Sequence, residues 1–193
     1  MKKIPTLFER QFGNHEVIGI TDNITSGCEE ALLHGQATIK VDGACCAIIG
    51  GELYKRYDAK KGKKPPEGAI PCCDPDPITG HWPHWVKVGD GPEDKWFRKA
   101  FENSSYIADL GPCTLTCEAV GPHFQGNPYE LVDDLLLIHG TAKVDVDRNF
   151  FSIKEWLENH YEEGLVFWLN GEPVCKIKRS DFGLPWNQKG GKQ

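Results

Sequence analysis

The chain has 193 residues, 39% hydrophobic and 26% charged, with a net charge of −6. That length and apolar share suffice for one real core and exclude a disordered or fibrous chain. The acidic balance argues against a generically basic nucleic-acid coat protein.

No apolar run approaches the ~18 residues of a membrane-spanning helix. Met1–Glu16 carries Lys2 and Lys3 but lacks the apolar stretch of a secretory signal, so the expected location is cytoplasmic, with no membrane partner. Charge is unevenly spread. Residues 55–64 hold six basic side chains against Asp58, and residues 176–193 five against Asp181, whereas 118–172 are strongly acidic. Two basic stretches on an acidic body suit a polyanion bound at one face, although a solvated lysine loop has the same composition. Of the eight cysteines, Cys45 and Cys46 lie in an apolar run and read as small buried hydrophobes. Cys72-Cys73 with His81 and His84 is the one cluster resembling a zinc site. It lacks a CxxC pair, and adjacent cysteines rarely ligate one ion together.

In chain order, Lys40-Val41-Asp42-Gly43 falls at a strand-to-turn junction. Ala44–Ile49 and Glu52–Tyr57 then flank Gly50-Gly51 and predict a two-residue hairpin in which Cys45 faces Arg56. Residues 62–92, with seven prolines and five glycines, read as a long irregular loop. Its segment His81-Trp82-Pro83-His84-Trp85 either stacks on bases or, more simply, anchors the loop. Glu93–Asn103 is a helix candidate. Thr114–Val120 reads as a strand that puts Glu118 on the face of Thr116 and Thr114. Ser152 and Glu155 form a capping box for a helix burying Ile153, Trp156, Leu157 and Tyr161 and ending at Gly164. Leu165–Leu169 and Glu172–Lys178 flank Asn170-Gly171, the strongest short hairpin signal. A simple two-residue turn sets Lys176 opposite Leu165 and Lys178 opposite Glu163, so Glu163, Lys176 and Lys178 share a face. The fold class is α+β with mostly antiparallel strands.

Five ordered segments carry chemistry: Lys40-Val41-Asp42-Gly43; Glu52-Leu53-Tyr54-Lys55-Arg56-Tyr57; Cys117-Glu118-Ala119-Val120-Gly121-Pro122-His123-Phe124-Gln125-Gly126-Asn127-Pro128-Tyr129; Glu163-Gly164-Leu165-Val166-Phe167; and Lys176-Ile177-Lys178. The series resembles that of the covalent nucleotidyltransferases, which comprise ATP-dependent RNA and DNA ligases and mRNA capping enzymes. It is most similar in character to the small 5′-to-3′ RNA ligase family also found in vertebrates. The similarity runs from about Lys40 to Trp186 and takes in Gly80–Val88, His139-Gly140 and Gly183-Leu184-Pro185-Trp186.

The resemblance implies an adenylyltransferase fold, with two antiparallel sheets and flanking helices around a nucleotide pocket. It makes residues 1–193 a single minimal nucleotidyltransferase domain with no appended OB-fold or RNA-specificity domain. Lys40 becomes the nucleophile that carries AMP. Arg56 contacts the nucleotide or the RNA 5′-phosphate, Glu118 holds the ribose, Glu163 organises Mg²⁺ or Mn²⁺, and Lys176 and Lys178 hold the α-phosphate. The chain departs from the wider pattern at Ile39, where a polar residue often precedes the nucleophile. It departs again at Leu135-Leu136-Leu137-Ile138-His139, where an aromatic plate is usual: His139 is either the stacking ring or a satisfied core histidine.

A free lysine, with a pKa of ~10.4, is less than ~0.1% neutral at pH 7, and only the neutral amine attacks phosphorus. Lys176, Lys178, Arg56 and a divalent cation would each penalise a charged Lys40, and the same cations would neutralise the α-phosphate in the transition state. The expected activity is therefore an ATP-dependent RNA ligase joining 5′-phosphate and 3′-hydroxyl RNA ends through lysyl-AMP and adenylated RNA. Lys55, Lys60, Lys61, Lys63 and Lys64 would lie along the RNA, and an end-healing kinase or phosphatase is an expected partner. The alternatives are capping-type or DNA-ligase-type nucleotidyl transfer, or a non-catalytic nucleotide or RNA sensor.

Overall fold

The computed structural model describes residues 3–14, 16–110 and 114–187. Lys2, Cys113, Lys189 and Lys192 lie outside them. In chain order the strands are β1 (Phe8–Gly13), β2 (Glu16–Ile24), β3 (Gln36–Lys40), β4 (Ala44–Ile49), β5 (Glu52–Ala59), β6 (Ile70–Pro71), β7 (Trp82–Lys87), β8 (Leu115–Val120), β9 (Leu135–Ile138), β10 (Gly164–Leu169) and β11 (Glu172–Lys178). The α-helices are α1 (Glu29–His34), α2 (Lys95–Asn103) and α3 (Phe150–Asn159). Every strand-to-strand ladder is antiparallel, so the fold is α+β. Among the described residues no helix is long and apolar enough to cross a membrane.

The chain divides into two compact units. One runs from Asp42 to His139 and holds a six-stranded sheet in the order β6-β7-β5-β4-β8-β9. Its β4–β5 hairpin has the expected register: Cys46 pairs with Lys55 and Ile49 with Glu52. Gly50 and Gly51 both have positive φ (60° and 83°), as a turn matching strand twist requires. One face packs its apolar side chains, Cys46, Ile48, Leu53, Cys117 and Leu136, around Ala100 of α2. The aromatic segment predicted as loop is largely strand: β7 pairs Trp85 with Arg56 and His84 with Tyr57. Burial on both faces outweighed the proline signal there: Pro83, His84 and Trp85 are consecutive and buried. The helix over 93–103 is a 3-10 turn, Pro92–Asp94, followed by α2.

The other unit comprises Lys3–Val41 and the chain from Gly140 onward. It holds the β1–β2 ribbon and a three-stranded sheet in the order β11-β10-β3. Leu165, Phe167, Cys175, Ile177 and Ala37 share the buried face, which packs on Leu7, Phe8, Leu32 and the Ile153–Leu157 side of α3. Three local expectations need correction. The cap of α3 is Asn149, not Ser152: its side chain accepts from the Ser152 N–H at 2.9 Å. The helix ends at Asn159, so Gly164 begins β10 instead, and Tyr161 lies beyond the helix, 60% exposed.

The third correction concerns the β10–β11 register. Next to the Asn170-Gly171 turn it is as predicted, with Leu169 opposite Glu172 and Trp168 opposite Pro173. A bulge then slips it by one, so Phe167 faces Cys175, Val166 faces Lys176 and Gly164 faces Lys178. The unslipped register would set Lys176 on the core face beside Leu165. The slip aligns Leu165 with Ile177 and sends both lysines to the opposite face.

Candidate active site

Two groups of functional side chains form, one in each unit. The first lies on the outward face of the three-stranded sheet. Lys40, the last residue of β3, pairs with Gly164 of β10, which pairs in turn with Lys178 of β11. The three occupy one row. Gly164 is required there: a Cβ would meet the Ile177 carbonyl oxygen at 2.0 Å and Lys178 Cα at 2.9 Å. Glu163 precedes the strand and its carboxylate is buried. One oxygen accepts from Lys40 Nζ, and the other lies 2.5 Å from Lys178 Nζ. A single carboxylate therefore bridges the expected nucleophile and an expected phosphate ligand.

Lys176 stands two residues before Lys178 on the same face. Burial, and then the charges of Lys40 and Lys178, push its pKa down to about 8 against the pull of Glu163. Its backbone is pinned on both sides: its N–H donates to the Pro5 carbonyl at 3.0 Å and its carbonyl accepts from Leu7 N–H at 2.7 Å. Asp181 accepts the Lys178 backbone N–H at 2.9 Å and Arg10 Nη2 at 3.0 Å, which fixes the end of β11. Nothing in the local sequence pattern marks Arg10 or Asp181 as members of this cluster.

The second group lies across the six-stranded sheet of the other unit. Cys45 pairs with Glu118. One step beyond the Cys46–Lys55 pair the hairpin register brings Cys45 toward Arg56, whose charge acts on the thiol. Burial, and then the charge of Glu118, push the Cys45 thiol up to about 12. Cys45 is therefore a half-buried body whose thiol feels the charges of both Glu118 and Arg56. Alternation from the Gly50-Gly51 turn carried that signal. Arg56 Nε also donates to Asp58 at 2.9 Å.

His139 Nε2 donates to Glu118 Oε1 at 3.1 Å, since a carboxylate can only accept, and Nδ1 lies 2.9 Å from Thr116 Oγ1. His139 is thus a satisfied histidine that orients Glu118. The second carboxylate oxygen, Oε2, is buried without a hydrogen-bond partner. Leaving such an acceptor unpaired costs about 1–3 kcal/mol, and a polar ligand group placed there would recover that cost.

Lys55 lies on the other face of β5 from Arg56, where its ammonium pairs with Asp94; Asp94 also accepts Gly89 N–H at 2.8 Å. It is a structural ion pair rather than part of an open basic path. Lys60, Lys61, Lys63 and Lys64 are exposed in the turn after β5, which Lys63 N–H closes onto the Lys60 carbonyl at 2.9 Å.

The donor chemistry at Glu163 fits a hard divalent cation. Mg²⁺ takes one or two carboxylates from the protein and completes its shell with water and substrate phosphates. Among the described residues no three His, Cys, Asp or Glu side chains converge as a metal site, and that includes Cys72, Cys73, His81 and His84. His84 Nδ1 instead lies 2.9 Å from the Trp82 carbonyl. No protein-family model matches the chain, and no curated protein matches it.

Proposed function

We propose that the protein is an ATP-dependent RNA ligase of the covalent nucleotidyltransferase kind, and that its three-stranded and six-stranded antiparallel sheets are those of an adenylyltransferase fold. One observation carries the reading: Lys40, Glu163, Lys176 and Lys178, named from three separate motifs, share one face of one sheet, with Glu163 in contact with two of the lysines.

In this reading Lys40 Nζ attacks the α-phosphorus of ATP. An N–P bond forms, the P–O bond to pyrophosphate breaks, and the amine sheds its proton; Glu163 Oε2 already accepts a hydrogen bond from it. Lys176 and Lys178 offset the charge developing on the α-phosphate, where fixed cations contribute most. Bound at Glu163, Mg²⁺ or Mn²⁺ would supply further charge neutralisation on the phosphates. Within its own unit Glu118, held by His139, has an unpartnered oxygen that suits the ribose-ligand role the resemblance implies. AMP then passes from Lys40 to an RNA 5′-phosphate, and a 3′-hydroxyl displaces it as the strands join.

The test is incubation with α-labelled ATP and Mg²⁺ or Mn²⁺, followed by denaturing electrophoresis. The expected result is an acid-labile adduct that is absent from Lys40→Ala and discharged by 5′-phosphorylated RNA. ATP binding without any adduct overturns the ligase and favours a nucleotide sensor. An adduct formed from GTP, or discharged only by DNA, favours the capping-type or DNA-ligase-type reading.

A further inference from the structure

The segment Gln125-Gly126-Asn127-Pro128-Tyr129 has no part in the chemistry above, yet it forms a tightly closed loop. Asn127, at a φ of 54°, donates through Nδ2 to the Leu131 carbonyl and accepts Leu131 N–H through Oδ1, each at 2.9 Å. Asn127 N–H donates to the Phe124 carbonyl at 2.8 Å, and Phe124 N–H to the Gly121 carbonyl at 3.0 Å.

Two side chains of this loop reach the same short stretch of backbone. Tyr129 Oη accepts the Asp42 main-chain N–H at 2.7 Å, and Gln125 Nε2 donates to the Gly43 carbonyl at 3.3 Å. Asp42 and Gly43 belong to the three-residue link between Lys40, which ends β3, and Ala44, which begins β4. The link has little room: a Cβ on Gly43 would meet the Ala119 carbonyl oxygen at 2.4 Å and Val120 Cγ1 at 2.9 Å. Two of the five ordered motifs therefore interlock, the loop of one gripping the peptide groups of the other two residues beyond the nucleophile.

We propose that Tyr129, assisted by Gln125, is a positioning residue for Lys40. The inference rests on the reading of Lys40 as the nucleophile. The Tyr129 hydroxyl holds the Asp42 peptide in one orientation and so limits the freedom of the link that follows the reacting amine. Misplacing a reacting group by ~1 Å can cost about 10²-fold in rate.

The test compares the wild-type chain with Tyr129→Phe, which keeps the ring and removes only the hydroxyl. Three quantities are read: the single-turnover rate of adduct formation across a range of ATP, the melting temperature, and backbone amide exchange in a peptide covering residues 41–44. For Tyr129→Phe the maximal rate is expected to fall about tenfold to a hundredfold. The half-saturating ATP concentration and the melting temperature stay close to wild type, while exchange at Asp42 accelerates. Gln125→Ala gives a smaller effect of the same kind. A Tyr129→Phe rate equal to wild type overturns the proposal, as does a loss of rate that merely follows a loss of melting temperature. A wild-type chain that forms no adduct overturns the Lys40 reading itself. The exchange measurement then reports separately whether the loop grips Asp42.

Discussion

Glu163 accepts from Lys40 with one carboxylate oxygen and meets Lys178 Nζ at 2.5 Å with the other. Its side chain is only 6% exposed, whereas Lys178 is 33% exposed. Glu163→Gln keeps the shape, removes the charge and turns an N–H₂ toward an ammonium. Adduct formation is expected to fall at least about a hundredfold, the loss typical when a preorganised electrostatic partner is removed. Stability is expected to fall by about 2 kcal/mol, less than for a fully buried pair because the lysines retain some water. Denaturant unfolding and gel labelling measure the two effects, and labelling at the wild-type rate contradicts the role given to Glu163.

Lys176 provides a pH signature. Its folded pKa of about 8 lies below the unfolded value of 10.5, so between those values the unfolded chain binds more protons. Its cost to stability is therefore full below pH 8 and is relieved as pH rises toward 10.5. Lys176→Met is expected to be more stable than wild type at pH 7, with the difference shrinking by pH 10. Unfolding curves at pH 7, 9 and 10 check this; a constant difference rejects it. Adduct formation in wild type should decline on the alkaline side of pH 8 as the cation is lost, and Lys176→Arg should move that limb upward.

The unpartnered oxygen of Glu118 predicts a split between binding and chemistry. Glu118→Ala should raise the half-saturating ATP concentration about tenfold or more, since a hydrogen bond from a ligand hydroxyl to a charged acceptor contributes about 1.5–3 kcal/mol. At saturating ATP the adduct should still form. An unchanged ATP dependence removes Glu118 from the nucleotide site.

The lysine turn predicts salt dependence. Replacing Lys60, Lys61, Lys63 and Lys64 by Ser should weaken RNA binding and flatten the plot of log affinity against log salt by up to about 3, at ~0.7 per phosphate contact on a single strand. Adduct formation from ATP alone should not change. An unaltered slope places the RNA elsewhere.

Hairpins were the most legible part of the sequence, because a two-residue turn with positive φ at both positions fixes register over short range. The Cys46–Lys55 and Ile49–Glu52 pairs followed directly from it. The β10–β11 register failed at the first residue where turn and core disagreed. The apolar pair Cys175 and Ile177 did carry the warning, since only a slip could bring them onto the face of Leu165 and Phe167. The segment around Trp82 was misread because proline and glycine counts describe a region, whereas pairing with β5 is decided by particular residues. Asn149 lost out to Ser152 because both precede an apolar run, and only the backbone shows which one turns into the helix. The grip of Tyr129 on Asp42 joins residues 87 positions apart, beyond the reach of any local pattern.

The slip between Phe167 and Trp168 also governs what changes of length β11 can tolerate. Lys176 and Lys178 face outward with one surplus residue, Val174, absorbed upstream, so deleting that residue would leave an unbroken ladder in which Cys175 still faces Phe167 and both ammonium groups still point outward. Deleting a second residue from that regular ladder would drive both ammonium groups inward and Cys175 and Ile177 outward, with every site residue still present in the sequence. Losing two residues with the bulge retained would preserve the orientation and shorten the ribbon. Comparable hairpins should therefore vary in length by even steps, and an odd step should coincide with the disappearance of the irregularity.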